Sequence, residues 1–135
     1  MNKVQKDYAE ALAAKKAAQE AIDEAEVAFI RERGIINPDG SVPASLYMID
    51  DENLFDEVCE EFGKLNGSLN DACNVAFEAL VNAEDALIDW GLSLAPEGVR
   101  KTLEGHRKEY KCRTRLIDLA FRLDSRTVPK MLKGV

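Results

Sequence analysis

A chain of 135 residues, 46% hydrophobic and 32% charged, has room for one domain and one ordinary core. Its formal net charge is −7, and no apolar run approaches the roughly 20 residues that cross a bilayer, so no membrane partner is expected. The opening MNKVQKDYAEALAAKKAAQE lacks the apolar stretch of a secretory signal, which points to the cytoplasm.

Lys3 to Arg33 reads as one long helix. Val4, Tyr8, Ala11, Ala18, Ile22, Ala25 and Phe29 recur at steps of four and three, broken only at Lys15, and Gly34 is a natural stop. At 1.5 Å per residue such a helix is about 46 Å long, more than a compact globule of this size needs. The expected fold is therefore an elongated all-α bundle of about four helices, three long and one short and acidic. Helix 1 is the candidate for a homodimer contact, with Ala18 and Ala25 on its seam.

Residues 34–49 form the main irregular segment. Asn37-Pro38-Asp39-Gly40 is a turn signal, because Pro fixes φ and Gly accepts positive φ. Ile35, Ile36, Val42, Leu46, Tyr47 and Met48 are too apolar for a free linker, so the segment is expected to fold back over one end of the bundle. Asp50 or Asp51 can cap a second helix that runs to about Leu65. Leu54, Val58 and Phe62, flanked by Phe55 and Cys59, form its apolar face, and acids crowd the remainder.

Ser68 to Leu92 is expected to be the central helix. Leu69, Cys73, Ala76, Leu80, Ala83, Leu87 and Trp90 make its buried seam, opposite Asp71, Asn74, Glu78, Asn82, Asp85 and Asp89. Ala72, Ala79 and Ala86 are expected to widen that seam, and Phe77 to add bulk. Pro96 opens a last helix expected to run unbroken to about Leu123, with Gly98 and Gly105 as weak points. Val99, Leu103, His106, Tyr110, Ile117, Ala120 and Phe121 share one face, so His106 is expected in or near the core. Val128, Met131 and Leu132 in the tail could add one more docked turn. The whole chain, 1–135, reads as a single helical domain.

Charge is segregated along the chain. Residues 34–95 carry a net −12, and residues 96–135 a net +6. Two faces stand out. Asp56, Glu57, Glu60 and Glu61 form a negative face on the second helix. Arg100, Arg107, Lys111, Arg115 and Arg122 form a positive stripe on the last. Arg113 points instead to the apolar side, where it needs an acid on a neighbouring helix.

Catalytic patterns are sparse. The three cysteines, Cys59, Cys73 and Cys112, are far apart and read as reduced thiols. The one histidine, His106, has no glutamate three residues before it, which excludes the Glu-x-x-His pairs of di-iron bundles. No phosphate-binding glycine loop or zinc spacing occurs. Glu57 and Glu60 resemble the first Glu-x-x-Glu half of the all-α nucleotide pyrophosphohydrolases, whose carboxylates hold Mg²⁺. The second half, Glu-x-x-Asp, is missing: Glu78 is followed at the third position by Val81, and Glu84 by Leu87.

Charge and patterning together point to a non-enzymatic acidic helical protein without a cofactor, acting on a protein partner as adaptor, regulator or inhibitor, nucleic-acid mimicry included. Nucleic-acid binding by the basic stripe is one alternative, and Mg²⁺-dependent nucleotide hydrolysis at Glu57 and Glu60 the other.

Overall fold

The computed structural model describes residues 1–123. Among them the chain is all-α, with helices α1 (Lys3–Arg33), α2 (Glu52–Leu65), α3 (Gly67–Ser93), α4 (Glu97–His106) and α5 (Tyr110–Arg122), plus one 3₁₀ turn at Leu46–Met48. The expected docking of Val128, Met131 and Leu132 lies outside the described residues. None of the helices is long and apolar enough to cross a membrane. The buried side chains form two clusters, one in each of two compact units.

The unit of Ala14–Phe77 is built around Phe29, Ile30, Ile35, Leu46, Ile49, Val58 and Phe62. α2 forms as its spacing dictates. Asp51 is the N-cap, its carboxylate accepting from the backbone N–H groups of Asn53 and Leu54. Val58 and Phe62 are buried, and Leu54, Phe55 and Cys59 pack beside them. Phe29 and Phe62 meet edge to face at 5.7 Å, with the Arg33 guanidinium 5.2 Å above the Phe29 ring. Gly34 stops α1 at φ +61°, a conformation that excludes most side chains. Of the six apolar residues expected to fold back, Ile35 and Leu46 enter this cluster, joined by Ile49, whereas Ile36, Val42, Tyr47 and Met48 are exposed. Asn66 alone separates α2 from α3; its N–H and its side-chain amide both donate to the Phe62 carbonyl. Ala25 is half-buried and packs against this cluster.

The other unit joins Met1–Ala13 to the chain from Glu78 onward. Leu87, Ile88, Leu92, Ile117 and Ala120 form its centre, with Val4, Tyr8, Trp90, Leu103, Leu116 and Phe121 packed against them. Tyr8 and Phe121 meet edge to face at 5.2 Å. Asn2 and Gln5 form a reciprocal cap at the start of α1: the Gln5 N–H donates to Asn2 Oδ1, and the Asn2 N–H to Gln5 Oε1.

The expected phase of the α3 seam is correct: Leu80 and Leu87 are buried, and Leu69, Cys73, Ala76, Ala83 and Trp90 half-buried. Its width is not. Ala72, Ala79, Ala86 and Phe77 are exposed, whereas Ile88 and Leu92 are fully covered. In its last turns α3 is packed from more than one direction, against Leu103 of α4 as well as Ile117 and Ala120 of α5. That buries side chains a full 100° apart around the helix.

The last helix is also corrected. It divides at Arg107–Glu109, two residues after Gly105, and restarts from Glu109 in extended backbone. Gly105 weakens the helix at this point, and an interruption resets the angular phase of the next helical segment. Leu103, Ile117, Ala120 and Phe121 still face inward, but His106 and Tyr110 are exposed, not part of the core.

Candidate functional site

The acidic face of α2 belongs to the unit of Ala14–Phe77. At 100° per residue, Glu52, Asp56 and Glu60 lie progressively further from Phe55 around the helix, and Glu57 further still. Asp56, Glu57 and Glu60 are exposed. The four expected site residues are not equivalent. Glu60 pairs with Lys64 one turn on, at 3.2 Å. Glu61 is half-buried and pairs with Arg33 of α1, so it fastens two helices. Asp56 and Glu57 make no ion pair among the described residues, which leaves their charge open to solvent.

Beside this face lie the apolar residues of the irregular segment that the fold leaves outside the core. Ile36 is 62% exposed, Val42 and Met48 58% each, and Tyr47 84%. Large apolar groups in such numbers on one segment are costly to leave in water. The backbone beneath them is pinned. Asn37 Nδ2 donates to the Met48 carbonyl at 3.0 Å, and Asn37 Oδ1 accepts from the Asp50 N–H at 3.2 Å. Gly40, at φ +86°, closes the turn by donating to the Asn37 carbonyl. Asp39 accepts from both the Ser41 hydroxyl and the Ser41 N–H, and these bonds hold its pKa below the usual carboxylate value. The Tyr47 ring lies 5.9 Å from that of Phe55, which brings the exposed apolar group to the edge of the acidic face.

Glu26 lies under the segment. It is buried, and desolvation raises its pKa; the Leu46 amide opposes the rise and Asp23 adds to it. Burial likewise raises the Cys59 thiol, assisted by Glu26 and Asp56. A raised thiol is a poor nucleophile, in keeping with a packing role. Periodicity did not single out Glu26, because a lone acid inside an apolar stripe reads as a flank residue.

The basic stripe lies in the other unit and is distributed by the break in the last helix. Arg100 is on α4, Arg107 in the turn, and Lys111, Arg115 and Arg122 on α5. Arg107 donates to Asp89 of α3 at 2.8 Å and lies 3.4 Å from Glu104; the hydrogen bond to Asp89 is the main reason its pKa rises. Arg122 pairs with Asp118 at 3.0 Å. Arg113 meets the expectation of an acid on a neighbouring helix: it donates to Asp85 at 2.7 Å and approaches Glu84 at 3.4 Å. Two cations of the basic end are therefore absorbed by the acidic side of α3.

No group of three His, Cys, Asp or Glu side chains is placed to hold a metal ion among the described residues. Glu57 and Glu60 thus stand as a pair without a third ligand, and His106 contacts Glu109 at 3.0 Å on the surface. No family model matches the chain, and neither a characterised protein nor a solved structure resembles it.

Proposed function

We propose that the chain is a non-catalytic interaction module that binds a basic protein partner through the acidic face of α2 and the apolar segment beside it. The observation that carries this reading is Tyr47, almost fully exposed, on a hydrogen-bonded backbone and beside Phe55 of α2. An exposed aromatic group beside open carboxylates has the make-up of a binding hot spot: an apolar anchor for affinity and charges for orientation. Asp56 and Glu57 supply the charge, Glu60 joins them when Lys64 is displaced, and Glu61 serves the fold through Arg33.

The test is capture of partners from the native cell at low and high salt, with mass spectrometry. Asp56→Lys with Glu57→Lys should lose the salt-sensitive partner while circular dichroism stays helical. Tyr47→Ser should lose the same partner already at low salt. Retention of every partner by both variants would refute the reading. So would nucleoside triphosphate cleavage by the purified protein that disappears in Glu57→Gln.

A further inference from the structure

The unit of Met1–Ala13 and Glu78 onward carries a second surface that the acidic face does not use. Between the end of α3, α4 and α5 is a slot of about 90 Å³, walled by Ile88, Leu92, Leu103, Leu116, Leu119 and Leu123 and without a polar side chain among the described residues. Sites for small organic ligands run to about 300 Å³ or more. This one matches a single aliphatic side chain. Leu119 on its lip is 56% exposed. Leu116 to Leu123 extend about 10 Å along α5, the length over which a docked helix presents anchors at i, i+4 and i+7.

The rim is cationic. Arg115 and Arg122 stand four residues before and three after Leu119, hence on either side of it along α5. Arg115 makes no ion pair among the described residues, and the Arg122–Asp118 pair is solvent-exposed and weakly held. Arg100 of α4 reaches the slot's wall, its guanidinium 3.5 Å from the carbonyl of Ala95. Nucleic acid would engage the cations but has no use for a closed aliphatic slot.

We infer that this slot and its arginine rim bind an acidic amphipathic helix that inserts one bulky aliphatic side chain. Taken with the acidic face proposed above, the chain then holds two docking surfaces of opposite charge.

The test is fluorescence anisotropy of the full chain with a labelled helical peptide of about 18 residues carrying Leu at i, i+4 and i+7 and Glu on the flanks. Two controls replace its Glu by Lys or its Leu by Ala. The Glu/Leu peptide should bind, and the controls should bind at least tenfold more weakly. Leu119→Asp, at an exposed position, should weaken binding about tenfold with unchanged helicity, as should Arg115→Glu with Arg122→Glu. Asp56→Lys with Glu57→Lys should bind the peptide normally, which separates this surface from the acidic one. No binding, equal binding of the Lys or Ala peptide, indifference to Leu119→Asp, or displacement of the peptide by single-stranded nucleic acid would each overturn the inference.

Discussion

The side-chain amide of Gln5 donates to the carbonyl of Leu123 at 2.6 Å, and the same nitrogen lies 3.0 Å from the Ala120 carbonyl and 3.2 Å from that of Phe121. One residue from the first turn of α1 thus serves three carbonyls at the end of α5, where a helix runs out of its own donors. Gln5→Ala should cost roughly 1–3 kcal/mol in denaturant unfolding, because those acceptors are left buried without a donor. Gln5→Glu should be worse, since it aims a carboxylate at carbonyl oxygens. A neutral Gln5→Ala would show that water replaces the amide freely.

Glu26 should make stability depend on pH in a predictable direction. Burial raises its pKa in the fold above the ordinary 4.5, so the folded chain keeps this proton to higher pH than the unfolded chain. Its contribution is most favourable below the ordinary value and is lost as pH rises through the raised one. Glu26→Gln should therefore gain on the parent chain as pH rises from about 4.5 towards neutrality. Parallel stability curves for the two proteins across that window would contradict the account.

Leu87 is completely buried, whereas Phe77, ten residues earlier on the same helix, is exposed. Leu87→Ala should cost roughly 2–5 kcal/mol, and Phe77→Ala should stay within about 0.5 kcal/mol. Equal losses in urea titrations would mean that the two faces of α3 are wrongly assigned.

Arg113 and Asp85 link α5 to α3 through a charge-assisted bond with partial shielding from water. A double-mutant cycle with Arg113→Ala and Asp85→Ala should give a coupling of about 1 kcal/mol that shrinks in salt. Zero coupling at low salt would make the pair incidental.

Local rules carried much of the fold. The 3.6-residue rhythm placed α1, α2 and the seam of α3, and Asp51, Gly34 and Gly40 acted where cap and turn chemistry required. The Asn2-x-x-Gln5 cap is legible too, since that spacing is a helix-start signature. Gln5's second role was not legible, because it depends on a contact between residues more than a hundred positions apart. The burial of Ile88 and Leu92 follows from the number of neighbours a helix acquires, which one helix's own pattern does not encode. At the candidate site, the acids of α2 could be found by charge alone. Which were free and which were tied, as Glu61 is to Arg33, depended on tertiary placement. Nor does hydropathy say which apolar residues of a loop face inward, so the exposure of Tyr47 and the burial of Leu46 beside it emerged only in the fold.

The one-residue link at Asn66 has a consequence for how copies of this chain can misassemble. A rotation of about 60° in φ and about 70° in ψ would bring Asn66, at φ −121° and ψ 29°, to helical values. That rotation would fuse α2 and α3 into one uninterrupted rod from Glu52 to Ser93, carrying the face of Val58 and Phe62 away from Phe29. A second molecule opened in the same way could supply the missing face, so the two would close by exchanging equivalent segments. Refolding at high concentration is where such swapped dimers should accumulate, and Asn66→Gly, which disfavours the straight rod, should suppress them.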